Sequence, residues 1–114
     1  MNTDILKPEL CRIMEYHQGR KNAITRRELR EALQLPNSQD RKLRLTIAEI
    51  RREGTPVLFS TQSPCGYYLP ESLAELKEGI QHLRSYVIDE ARTLRDLRLA
   101  GNRWIAGEGQ GKLL

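Results

Sequence analysis

The chain has 114 residues, 30% of them charged, with 19 Lys and Arg against 15 Asp and Glu, a formal net charge of +4. That length suits one domain and excludes a Rossmann or barrel enzyme, which needs roughly twice the chain. No run of about 18 apolar residues is present and the N-terminus MNTDILKPEL lacks a basic stretch followed by an apolar one, so neither a membrane nor export is expected.

The first predicted element is a helix over about 4–18. Leu6, Leu10, Ile13, Met14 and His17 recur at steps of three and four, Pro8 fits its first turn, and Gly19 suits its C-terminal cap. A short extended piece, Asn22-Ala23-Ile24, follows. Thr25-Arg26-Arg27-Glu28 has the spacing of a capping box and opens a second helix over 26–34, with Leu29, Ala32 and Leu33 on its buried side. Leu35-Pro36 breaks it. A third helix runs from 38–40 to Glu53, with Leu43, Ile47 and Ile50 as its core stripe and Gly54 and Pro56 as its stop.

Val57–Ser60 and Tyr67–Leu69 are β-rich and flank a turn-like run, so they predict a hairpin with one tyrosine buried and one exposed. Ser72-Leu73-Ala74-Glu75 is a second capping box. It opens a long helix over about 73–99, closed by Gly101, with an apolar stripe at Leu73, Leu76, Ile80, Leu83, Val87, Ala91, Leu94 and Leu97. At a rise of 1.5 Å per residue such a helix spans roughly 39 Å and outruns a domain of about 70 residues. Ile80, Leu83, Val87, Leu94 and Leu97 are therefore candidates for homodimer contacts, the alternative being that the helix folds back within one chain. Trp104 and Ile105, in a Gly-rich stretch over 101–114, are a candidate docking point for a protein partner. The expected organisation is a domain over 1–71, a helix over 72–100 and that tail. The expected fold class is mainly α with a small β-hairpin and a long C-terminal helix.

Charge is unevenly placed. Residues 20–53 carry ten basic and five acidic side chains, a surplus of +5, while residues 54–70 carry no charge at all. A basic block on a folded domain points to a polyanion, or else to an ordinary solvated face. Cys11 and Cys65 lie 54 positions apart without a CxxC, and His17 and His82 have no ligand spacing, so free thiols and no metal or cofactor are expected. No carboxylate–His or Cys–His set suggests an enzyme.

Three helices followed by a two-stranded hairpin is the order of a winged helix-turn-helix. AITRRELREAL (23–33) resembles the first half of that motif, RKLRLTIAEIRREGTPVLFS (41–60) its recognition helix and first wing strand, and GYYLP (66–70) its second wing strand. The set is similar to the N-terminal domain of biotin-ligase-type repressors and to small winged-helix proteins of phages and prophages; the turn LQLPNSQD is a residue or two longer than in that pattern. The resemblance implies sequence-specific binding of double-stranded DNA, with a recognition helix around 39–53 in the major groove, in transcriptional regulation or in replication or excision of a mobile element.

On a helical wheel Arg41, Arg44, Leu45 and Ala48 fall opposite the core stripe, Leu45 about 200° from Leu43. Arg reads guanine bidentately and an aliphatic side chain can touch the thymine methyl. Gln39, Arg41, Lys42, Arg44 and Leu45 are thus candidates for base contacts, and Lys21, Thr25, Arg26, Arg27, Arg30 and Arg51 for phosphate contacts; the alternatives are that Arg41 and Arg44 pair with Asp40 or Glu49 and that Arg51 is a structural arginine bound to the hairpin or a carboxylate. The competing class is a winged-helix protein-interaction module without DNA binding, favoured by Leu45 and by the uncharged wing tip, Thr61–Cys65.

Overall fold

The computed structural model describes residues 3–107 and is mainly helical with one small hairpin. In chain order it holds α1 (Thr3–Met14), a 3-10 turn (Arg20–Asn22), α2 (Arg26–Ala32), a second 3-10 turn (Asn37–Gln39), α3 (Asp40–Arg52), β1 (Leu58–Ser60), β2 (Gly66–Tyr68) and α4 (Leu73–Ala106). The chain divides into two units, Met1–Ile80 and Gln81–Leu114.

In the first unit, Leu6, Leu10 and Met14 of α1, Leu29 and Leu33 of α2, and Leu43, Ile47 and Ile50 of α3 are fully buried in one core, joined by Ile24, Leu35, Val57 and Tyr67. Each such side chain contributes about 1.5–3 kcal/mol by leaving water, so these helices are stabilised mainly by the faces they share. Lys7 ties α1 to α3 through Glu49 at 3.0 Å and Glu53 at 2.8 Å. Hydrogen bonds to Glu53 and Glu49 raise the Lys7 pKa.

α1 stops at Met14, four residues short of the expected end, and Pro8 falls in its second turn rather than its first. The chain leaves the helix because residues 17–19 pair with the end of β2. Leu69 N–H donates to His17 O at 2.9 Å and Gly19 N–H to Leu69 O at 2.7 Å. His17 is a boundary residue whose Nδ1 meets Asn22 O at 2.7 Å. Ile24 joins the hairpin edge through two further bonds, Ile24 N–H to Tyr67 O at 2.9 Å and Tyr67 N–H to Ile24 O at 2.8 Å.

The first capping box is complete. Glu28 N–H donates to Thr25 Oγ1 at 3.1 Å, and Thr25 N–H returns to Glu28 Oε1 at 3.2 Å. The Thr25 hydroxyl and N–H hold the Glu28 carboxyl below its ordinary range. Thr25→Ala is expected to cost about 1 kcal/mol and to raise the Glu28 pKa part of the way back, since alanine keeps the backbone N–H; an unchanged Tm with an unchanged Glu28 titration by NMR would sink this. A lowered carboxyl pKa stabilises above its unfolded value, so the contribution disappears as pH falls through the folded value.

α2 ends in a Schellman arrangement with Gln34 at φ 57°: Gln34 N–H bonds Glu31 O and Leu35 N–H bonds Arg30 O at 2.8 Å. This turn buries Leu35 and leaves Ala32 exposed, against the expected buried face. α3 ends the same way at Gly54, φ 110°, with Thr55 N–H on Ile50 O.

The hairpin is antiparallel, with Leu58 opposite Tyr68 and Ser60 opposite Gly66. Both tyrosines are buried, not one. Tyr67 faces the helical core, while burial and then the Glu75 charge push the Tyr68 hydroxyl pKa up. The reason is the start of α4. A Cβ on Gly79 would lie 2.7 Å from Leu58 Cδ1, so the bare glycine lets α4 approach β1 closely. Ser72 Oγ accepts from Glu75 N–H at 3.1 Å, and the Glu75 carboxylate accepts from Glu71 N–H and, at 3.3 Å, from Arg20 N–H. The first compact unit therefore runs to Ile80, beyond the expected boundary at 71.

In the second unit α4 continues through Gly101 to Ala106, so Trp104 and Ile105 are helical rather than part of a tail. A lone glycine costs about 1 kcal/mol against Ala, too little to stop a helix of this length. Residues 108–114 of the expected tail lie outside the described residues. From 81 to 107 every described residue is exposed except Gly101, which is half-buried. No described helix is long and apolar enough to cross a membrane.

Candidate nucleic-acid interface

α2 and α3 present their charged sides together. The amphipathic pattern of α3 turns Leu43, Thr46, Ile47 and Ile50 into the core, with Thr46 Oγ1 bonded to Lys42 O at 2.8 Å. Arg41, Arg44, Leu45 and Arg52 are left exposed, Leu45 at 53%. Arg52 was not anticipated, although eleven residues at 100° each return it to within roughly 20° of Arg41.

The centre of the α2–α3 surface is Asp40, in the first turn of α3. Its carboxylate meets Arg30 Nη1 at 3.3 Å, Arg44 Nε at 3.4 Å and Arg26 Nη1 at 3.8 Å. Three guanidinium groups share one carboxylate, so the cluster keeps a net charge of +2. Arg26 also donates from Nε to the Tyr67 hydroxyl at 3.4 Å and lies over the Phe59 ring, 5.8 Å from its centroid. Phe59 in turn packs edge-on to Tyr67 at 4.9 Å. The hydrogen bond to Tyr67 raises the Arg26 pKa against the opposing effect of partial burial. The cluster thus joins α2, α3 and the hairpin.

Of the residues expected at phosphates, the structure brings Arg26 and Arg30 into this cluster. Arg27 is exposed and pairs with Glu31 at 3.2 Å. Thr25 is occupied as the cap of α2. Lys21 is exposed on the turn Arg20–Asn22, which adjoins β2. Arg51 donates from Nε to Val57 O at 2.8 Å, pinning the end of α3 to the chain entering β1, and burial lowers its pKa.

Of the base-contact candidates, Arg41, Arg44 and Leu45 share the exposed face of α3, Lys42 is half-buried on its flank, and Gln39 is exposed just before the helix, with no side-chain cap bond. The acidic members of the basic block are all engaged. Glu28 is in the cap, Glu31 is on Arg27, Asp40 is in the cluster, and Glu49 and Glu53 turn toward Lys7.

Residues 61–65 carry no charge and are held by Ser60 Oγ to Gln62 and by Cys65 Sγ to Thr61 O at 3.3 Å. Cys11 and Cys65 are free. Among the described residues no group of three or more His, Cys, Asp or Glu could hold a metal ion. The pair of Arg44 with Asp40 is one of the expected alternatives; the convergence of Arg26 and Arg30 on the same carboxylate, with Tyr67 beside it, is not legible in the sequence. The only sequence signal was the four-residue step from Asp40 to Arg44. No family model, curated protein or solved structure matches the chain.

Proposed function

We propose that the protein is a winged helix-turn-helix that binds double-stranded DNA sequence-specifically, with α3 as the helix entering the major groove. The observation that carries this reading is the Asp40 cluster, where three arginines from two helices gather beside a helix face exposing Arg41 and Leu45. Arg26, Arg27 and Arg30 act on phosphates, which position the domain; Arg41 and Arg44 read base edges, with Leu45 beside them. Such a protein works in the cytoplasm of a bacterial or phage-infected cell, in transcriptional regulation or in replication or excision of a mobile element.

The test begins with salt. Affinity for duplex DNA should fall steeply as salt rises, in proportion to the number of phosphates neutralised. After selection of a preferred site from random sequence, Arg41→Ala and Arg44→Ala should each lose about 1–3 kcal/mol of discrimination, whereas Arg27→Ala should weaken all sequences alike. Identical behaviour of the three variants would remove α3 from the groove. The exposed Leu45 and the uncharged 61–65 loop favour one other reading, a protein-interaction module. Absence of DNA binding at about 50 mM salt, where phosphate contacts are strong, would select it.

A further inference from the structure

We propose that residues 80–104 of α4 pair antiparallel with the same helix of a second copy of this chain. Ile80, Leu83, Val87, Glu90, Leu94, Leu97, Gly101 and Trp104 follow one another at steps that alternate strictly between three and four. A straight α-helix drifts by about 20° per heptad from that repeat, so a repeat held over more than three heptads is the pattern of a supercoiled seam between helices. The stripe is exposed: Leu83 is 58% and Leu97 65% exposed, and Ile80, Val87 and Leu94 are exposed as well. Apolar residues on the stripe are thus left in water along its length.

Charge then chooses the occupant and its direction. Residues 81–91 carry Arg84 against Asp89 and Glu90, a balance of −1. Residues 92–106 carry Arg92, Arg95, Arg98 and Arg103 against Asp96, a balance of +3. A parallel second copy would set the basic halves side by side and put Glu90 against Glu90 inside the seam. An antiparallel copy sets each basic half against an acidic one, so the helix complements itself when reversed.

Reversal also fits the side chains. It brings each three-step of one helix against a three-step of the other and each four-step against a four-step, so that Ile80 faces Trp104 of the second copy, Leu83 faces Gly101, Val87 faces Leu97, and Glu90 faces Leu94. The one seam glycine lies opposite a leucine, and the one seam charge lies on the flank that carries Arg84 and, from the second copy, Arg98. The candidates Ile80, Leu83, Val87, Leu94 and Leu97 all belong to this seam, and Trp104 closes its end. Ala91, the residue of the original stripe, gives way to Glu90 in the strict repeat.

The full chain, free of DNA, should sediment at twice its 13.2 kDa at about tens of micromolar, the range in which modest helical seams associate. Orientation is read by oxidation of variants lacking the native thiols (Cys11→Ala, Cys65→Ser). Leu83→Cys combined with Gly101→Cys should form intermolecular disulfides at least tenfold faster than Leu83→Cys alone. Glu90→Leu should lower the concentration at half-association by about tenfold or more, because it replaces a buried charge with an apolar side chain; it leaves the first unit untouched, so a folding defect does not cloud it. A monomer at that concentration, a larger assembly, faster cross-linking by Leu83→Cys alone, or an indifferent Glu90→Leu would each overturn the proposal.

Discussion

Gly66→Ala is expected to destabilise the first unit by about 3–5 kcal/mol, the range reached when a strained backbone and a steric conflict coincide. Gly66 opens β2 at φ 133°, where a side chain is strained in any surroundings. The surroundings are worse than the angle. A Cβ would lie 2.1 Å from Ile24 O, 2.5 Å from Ile24 C and 2.9 Å from Thr25 N. These are backbone atoms, and two hydrogen bonds between Ile24 and Tyr67 hold them in place. Relief requires breaking that bridge or moving Thr25, which caps α2 and so supports Arg26 and Arg30. Gly54→Ala is the control: its φ is 110°, but nothing lies within 4 Å of the added carbon, so only the strain of about 1–3 kcal/mol remains. In a domain of this size each kcal/mol shifts Tm by about 4–8 °C. Gly66→Ala should therefore melt well over 10 °C lower, and clearly below Gly54→Ala. Equal melting of the two would mean that the approach of Ile24 to Gly66 is absent in solution.

Asp40→Asn is expected to tighten DNA binding while lowering stability. The variant removes the single negative charge among three guanidinium groups, raising the cluster from +2 to +3. One further phosphate neutralised would steepen the dependence of log affinity on log salt by about 0.9. Against this stands the loss of Asp40 as an organiser of Arg26, Arg30 and Arg44. The pairs are single contacts at 3.3–3.8 Å, and surface pairs of this kind are worth about 0–1 kcal/mol each. Arg30, whose side chain is 16% exposed, loses most. Asp40 also sits in the first turn of α3, where its charge favours the helix by about 0.3–1 kcal/mol. The expected stability loss is thus about 1–2 kcal/mol by chemical denaturation, with affinity at low salt up roughly five- to tenfold from the added charge. Unchanged affinity and salt slope would place the cluster away from the DNA. Weaker binding would make Asp40 chiefly an organiser of the arginines.

Much of the architecture was legible because its causes are local. The stripes Leu6–Leu10–Met14 and Leu43–Ile47–Ile50 repeat at the helical period, so α1 and α3 could be read from spacing. The Thr25–Glu28 cap needs only residues three apart, and Gly54 marks the end of α3 through its own φ. The uncharged turn after Ser60 was visible in composition. For the candidate interface, the exposed side of α3 followed from the same period, since any residue opposite Leu43 must face outward once Leu43 is buried.

What escaped was decided between elements. The end of α1 depends on a backbone ladder with residues near Leu69, and the close approach at Gly79 depends on Leu58, twenty-one residues earlier in sequence. Arg51 allowed two readings, a phosphate contact or a structural arginine on the hairpin or a carboxylate; only the passage of Val57 beside α3 gives its Nε a carbonyl partner. The sequence by itself determined the helices, the hairpin, the positive block and the heptad along α4, because periodicity, capping and charge are properties of neighbouring residues. The tertiary structure alone decided that Arg26, Arg30 and Arg44 converge on Asp40 beside Tyr67, and that both tyrosines are covered. Those facts depend on which surfaces meet when the core closes, and no local pattern encodes that meeting.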